Sequence, residues 1–233
     1  MPDLPDLPQT EVAIVAMTNA FRKENKLAQV TPNKELAAAA RWFAEYLART
    51  GKFAHEADGR QPQQRAAAQG YKYCMVGENL AKNLDSRGFT TDRLASETVA
   101  GWKASPPHRH TMLEPAVTEI GVAIARVPGK HPNFVSVQLF GRPESLKMEF
   151  EVRNTTGLPV TYRLAGEAHE AGPRAVVTHT TCLPGELSFE RAGSWLAGVT
   201  LNARFAIHDG AKFTIHARQD GGVSVQLDGT TKR

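Results

Sequence analysis

Apolar residues recur at helical spacing along the first part of the chain. Between residues 11 and 26, Val12, Val15, Ala16 and Met17 alternate with polar residues and predict a helix with those side chains inward. Leu36, Ala40, Phe43 and Leu47 step by four, three and four, which predicts a second helix running to about Arg49. Thr31 reads as its cap, Pro32 as its first helical position and Gly51 as its stop. "QPQQRAAAQ" reads as a short helix, and residues 91 to 103 as a third long one with Leu94, Ala95, Val99 and Trp102 inward. Three segments carry strand character: "YKYCMVGENLAK" (71 to 82), "EIGVAIARV" (119 to 127) and "NFVSVQLFG" (133 to 141). The last two are almost continuously apolar and are joined by the turn residues "PGKHP", a buried hairpin. Residues 10 to 142 thus predict an α+β domain, with residues 1 to 9 as an N-terminal linker.

Near Pro143 the helical period stops and alternation takes over: Met148, Phe150, Val152; Val160, Tyr162, Leu164; Phe205, Ile207; Phe213, Ile215; Val223, Val225, Leu227. With turns at "NTTGLP", "AGP", "LPG", "DG" and "DGG", residues 146 to 233 predict a small all-β accessory domain, a sandwich or barrel. A three-residue loop around Gly210 would set Phe205 opposite Ile215 and Ile207 opposite Phe213. The same parity at "QDGG" pairs Ala217 with Val223 and Ile215 with Val225, making the last three strands a meander.

Composition narrows the function classes. With 41% hydrophobic and 22% charged residues, the chain is an ordinary globular one. Its net charge of +4 and pI near 9.1 come from scattered basic residues without a run that would mark a nucleic-acid arm, so no nucleic-acid partner is expected. No apolar stretch approaches the ~20 residues that span a bilayer. "MPDLPDLPQT" has neither a basic n-region nor an apolar h-region; taken literally it reads as cytosolic, yet a mature exported chain cut from its leader would begin the same way. The two cysteines, Cys74 and Cys182, are not spaced as zinc ligands. A bridge between them would close a long loop and stabilise by about 4 to 5 kcal/mol; because Cys74 sits in a core strand, free thiols are the preferred reading.

Polar chemistry gathers in three stretches. "GKFAHEADG" carries His55 after a helix end, "VGENLAK" carries Glu78 and Asn79, and "WKASPPHRHTML" carries Ser105, His108 and His110 in what reads as a loop. Two imidazoles and a carboxylate can hold a divalent cation, or act as acid and base around a water. Exposed His and Glu in loops can equally be solvated and idle. His208 and His216 fall on polar strand faces, Trp102 reads as core, and Asn19 and Arg22 as ties from helix to loop. There is no Ser-His-Asp pattern.

The order N-x-x-R (Asn19, Arg22), F-A-H (Phe53 to His55), G-E-N-L-A (Gly77 to Ala81), G-W-x-x-S-P-x-H-R (Gly101 to Arg109), T-E-I-G-V (Thr118 to Val122) and Q-L-F-G (Gln138 to Gly141) resembles the CAP superfamily, most closely its bacterial SCP-like extracellular branch. The resemblance implies an α-β-α sandwich over residues 10 to 142, with a cavity lined by two histidines and acids that sometimes hold zinc or another divalent cation. It assigns His55, Glu78 and His108 to that cavity and metal set, with Asn79 beside them and His110 at the rim. Ser105 stands where eukaryotic members have a second acid, and Pro107 replaces a usual glycine. Glu119 is the candidate substitute carboxylate, its alternative being a strand-end surface residue. The expected function is that of a secreted or periplasmic binding protein for a lipid, peptide or cell-surface ligand; the alternative is a metal-dependent hydrolase using the same cavity.

Overall fold

In the computed structural model, which describes residues 3–189, 203–219 and 222–228, the chain divides into two units, residues 1–145 and 146–233. The first is a sheet between two helical layers. Its elements are α1 (Leu7–Glu24), β1 (Thr31–Pro32), α2 (Lys34–Thr50), α3 (Pro62–Ala68), β2 (Tyr73–Leu84), α4 (Thr91–Ala104), α5 (Pro106–Met112), β3 (Glu119–Arg126) and β4 (Asn133–Pro143). The strand order is β1-β3-β4-β2.

Strand parity assigns the layers. Ile120, Val122 and Ile124 of β3 with Phe134 and Phe140 of β4 pack against Ile14, Phe21, Leu94, Val99, Trp102 and Met112 of α1, α4 and α5. The intervening Ala123, Ala125, Val135, Val137 and Leu139 pack against α2 and α3. Both faces are therefore covered, which is why β3 and β4 read as continuous apolar runs rather than alternating ones. A Cβ at Gly121 would lie 2.3 Å from the Ala37 backbone nitrogen, so glycine lets α2 rest directly on β3.

Several local expectations are corrected. The linker is partly helical, since α1 starts at Leu7, capped by the Asp6 side chain accepting from Gln9 N at 3.0 Å. The inward face of α1 is Thr10, Ile14, Thr18, Phe21 and Arg22, while Val12 is 70% exposed. An apolar count misses this face because its polar members find internal partners. α2 is capped by Asn33 rather than Thr31; Thr31 and Pro32 instead pair with β3 as a two-residue parallel strand. The predicted stripe Leu36, Ala40, Phe43 and Leu47 is fully buried, and Gly51 ends the helix at φ 70°.

The second unit contains β5 (Met148–Asn154), β6 (Val160–Leu164), β7 (Glu167–Ala171), β8 (Val176–Thr181), β9 (Glu186–Phe189), β10 (Ala203–Ala206), β11 (Lys212–Ala217) and β12 (Val223–Asp228). Two four-stranded sheets, β10-β9-β6-β7 and β12-β11-β5-β8, share one core of Phe150, Val152, Tyr162, Leu187, Phe189, Phe213 and Ile215. This is a sandwich, not a closed barrel. The β11–β12 register is the predicted one, Ile215 opposite Val225 and Ala217 opposite Val223. The β10–β11 hairpin is not formed: β10 pairs with β9, with Phe205 opposite Leu187, and β11 runs parallel to β5. Phe205 still meets Phe213, at 5.5 Å between ring centroids, across the two sheets rather than along one. Alternation reports which side chains face inward but not which sheet they belong to.

Asn154 anchors this unit, its amide donating to the carbonyls of Leu158, Ala171 and Gly172 at 2.7, 3.0 and 2.9 Å. Neither cysteine is a free thiol, which corrects the preferred reading of that pair.

Candidate functional site

Edge strand β2 supplies the centre of the site through two consecutive residues. Glu78 and Asn79 point to opposite faces of the sheet, as neighbours on a strand must. Glu78, its side chain 1% exposed, faces α2 and α3. Its Oε1 lies 2.8 Å from His55 Nδ1, and its Oε2 accepts from the Arg65 guanidinium at 2.7 Å. Arg65 is equally buried on α3 and also donates to Asp58 Oδ1 at 2.8 Å and to the Arg60 carbonyl at 2.7 Å. Its guanidinium lies 3.6 Å from the centre of the Phe43 ring. The result is a chain of charge, Asp58–Arg65–Glu78–His55, that surfaces at a half-exposed imidazole.

Asn79 faces the other layer. Its Nδ2 donates to the His108 carbonyl and to Gln138 Oε1, both at 3.1 Å, and Gln138 in turn donates to Thr18 on α1 at 2.9 Å. The segment holding His108 is the short helix α5 rather than a loop, with Pro106 and Pro107 in its first turn, where a missing N–H costs nothing. Arg22 closes the far end by donating to the carbonyls of Met112 and Glu114 at 2.8 and 2.9 Å. Asn19 clasps Val30 through both its amide atoms. The tying roles expected of Asn19 and Arg22 are what the structure shows. Trp102 is core, its Nε1 donating to the Leu80 carbonyl at 3.0 Å.

His55 and His108 therefore come from opposite helical layers and lie within electrostatic reach of each other at the β2 edge. Their titrations are pushed apart. The hydrogen bond to the Glu78 carboxylate raises His55 above the usual imidazole value, against partial desolvation. Burial, reinforced by the charge of His55, lowers His108. As pH falls, His55 takes up a proton before His108 does.

The remaining expected site residues lie elsewhere or do other work. Glu119 is not brought to the histidines. Its Oε2 accepts from the Tyr71 hydroxyl at 2.6 Å and its Oε1 from Asn33 at 3.3 Å. It lines a separate groove of about 470 Å³ with Asn33, Gly70, Tyr71 and Lys72. Burial and the Glu119 carboxylate push the Tyr71 phenol far up. Ser105 occupies the N-cap position of α5 without a side-chain cap bond, and His110 is exposed. Arg65, Asp58 and Thr18 went unnoticed in the sequence, and Gln138 was named only as a motif position. Only Arg65 left a trace, as a lone cation in an otherwise small and apolar helix face.

Among the described residues, no group of three His, Cys, Asp or Glu side chains is placed to hold a metal ion. Both Glu78 oxygens are already engaged, one by His55 and the other by Arg65. A carboxylate on Nδ1 leaves Nε2 as the nitrogen of His55 that faces an incoming group.

The cysteine-rich secretory protein family, CAP, matches residues 15–140, which include every residue of this site. The chain belongs to that family. Among solved structures, the chain is similar to an outer surface protein from Borrelia burgdorferi (20% identity, 58% of this chain and 93% of that one, TM-score 0.48). It is similar also to an extracellular SCP-domain protein from Bacillus anthracis (22%, 58% and 41%, TM-score 0.48) and to venom allergen-like protein 4 from Schistosoma mansoni (16%, 58% and 89%, TM-score 0.41). No curated protein sequence matches the chain. The CAP match ends before the second unit, and no helix of the described residues is long and apolar enough to cross a membrane.

Proposed function

We propose that this CAP chain is an exported binding protein whose β2-edge site takes a divalent cation on His55 and His108, and with it a lipid, peptide or cell-surface ligand. The observation that carries the reading is the placement of Glu78. A carboxylate shared between His55 Nδ1 and a buried arginine orients an imidazole and leaves its other nitrogen for an incoming group. Two imidazoles leave the remaining coordination positions to water or ligand donors, the arrangement of an open site rather than a closed structural one. The hydrolase alternative would need, beside a metal-bound water, a base to take its proton; both Glu78 oxygens already accept hydrogen bonds, from His55 and Arg65, which disfavours Glu78 in that role. Export is supported by the cysteines, since neither is a free thiol and disulfides persist in oxidising compartments.

Calorimetric titration of zinc into the full chain tests the reading. His55→Ala and His108→Ala are each expected to remove the same ion, and uptake is expected to weaken as pH falls because the ion must displace the proton on His55. Zinc affinity unchanged in both variants overturns the ligand assignment.

A further inference from the structure

A second pair of histidines meets inside the β-sandwich, far in sequence from the CAP site. β7 and β8 are edge strands of different sheets. His169 on β7 sits opposite Tyr162, and His179 on β8 sits opposite Phe150. The two imidazole centroids are 4.9 Å apart at an interplanar angle of 78°. The rings are held from below, His179 stacked on Phe150 at 5.1 Å and His169 on Tyr162 at 5.6 Å. The Tyr162 oxygen lies 2.5 Å from His179 Nε2. Tyr162 and Phe150 are buried, while both histidines are half-buried and reach solvent along the edge.

Packing alone does not call for this set of groups. Two imidazoles in contact oppose each other's protonation, and among the described residues no carboxylate bonds to either ring. Two imidazoles in contact form a pair of nitrogen donors, which suits borderline divalent ions such as zinc and copper(II), while the phenol bonded to His179 Nε2 at 2.5 Å orients that ring and leaves its Nδ1 for an ion. The spacing fits as well. With metal–nitrogen bonds of about 2.0–2.1 Å, two imidazoles on a tetrahedral or square ion have centroids about 4.5–5.2 Å apart.

We infer that His169 and His179, with Tyr162 beside them, form a transition-metal site at the β7/β8 edge of the second unit, open to water or to a donor from a partner. Aromatic stacking fixes both rings before the ion arrives, so the order they would otherwise lose on binding is already imposed by the core. The ion would join the two sheets at an edge where, among the described residues, neither is covered by a further strand.

The test uses the full chain carrying His55→Ala and His108→Ala, so that failure of the CAP-site reading cannot mask this one. Equilibrium dialysis against zinc(II) and copper(II), with electron paramagnetic resonance of the copper form, is expected to show about one ion per chain and hyperfine coupling to nitrogen. His169→Phe keeps a ring against Tyr162 and removes the ligand; His179→Gln removes the other. Each is expected to weaken binding at least about tenfold with the circular dichroism unchanged. No ion uptake by the parent double variant, or equal affinity after both substitutions, overturns the site and leaves the cluster as packing only.

Discussion

Replacing Arg65 by methionine strands two carboxylates. The guanidinium is 1% exposed and lies between Asp58 and Glu78, whose side chains are 3% and 1% exposed. Methionine fills similar volume and keeps contact with Phe43, so the change is chiefly one of charge. Breaking a buried pair by removing one partner costs about 3–5 kcal/mol. An independent ceiling comes from protonation, because a stranded acid can escape by taking up a proton. At pH 7 that escape costs an ordinary carboxylic acid about 4 kcal/mol, roughly three units at 1.36 kcal/mol each, and at pH 5 only about 1.4 kcal/mol. The variant should therefore lose about 3–5 kcal/mol at pH 7 and markedly less at pH 5. Urea unfolding followed residue by residue by NMR reads the first unit separately, as a two-unit chain requires. A loss below about 1 kcal/mol at pH 7, or one of equal size at both pH values, would refute the argument that Arg65 neutralises a closed, water-poor acid pair.

Two further outcomes follow from the same geometry. Glu78→Gln should bring the His55 titration, read by NMR, back down toward the ordinary imidazole value, because the Glu78 hydrogen bond is the largest cause of its rise. The stabilisation from that bond is whole below the unfolded pKa of about 6.5 and is lost as pH rises through the raised folded value; an unchanged His55 titration in the variant would sink this account. Gly121→Ala should cost about 1–3 kcal/mol or more, since the new methyl would meet the backbone of α2 and neither side can yield; a thermal midpoint equal to that of the parent would show that α2 can lift off β3.

What could be read from the residues, and what could not, divides along physical lines. α2 and α4 were legible because their apolar stripes match the helical period, with Thr98 of α4 the one polar residue among their buried side chains. β3 and β4 were legible from apolar runs too short for a helix and bounded by turns. α1 misled because three of its inward residues, Thr10, Thr18 and Arg22, are polar and find internal partners, Thr10 locally at the Asp6 carbonyl, Thr18 and Arg22 far along the chain at Gln138 and Met112. α5 read as a loop because two prolines usually end helices, whereas here they begin one. In the second unit the inward residues were visible but the sheet switch at β10 was not, since a strand that crosses over carries the same alternation as one that turns back. In the site, His55, Glu78 and His108 stood out through the order of the motifs. Arg65 and Asp58 did not, because a buried ion pair on a short helix and the loop before it has no spacing of its own.

The opposed orientations of Glu78 and Asn79 carry a consequence for how this domain can diverge. One residue is answerable to α2 and α3, the next to α1 and α5. Inserting or deleting a single residue in the first half of β2 would exchange their addresses, aiming an amide at Arg65 and a carboxylate at the His108 carbonyl. Descendants of this chain can therefore alter either position by substitution, or lengthen the loops at will, but they cannot change the count of residues between Met75 and Glu78, where the pairing with β4 is regular, without losing both halves of the site in one step.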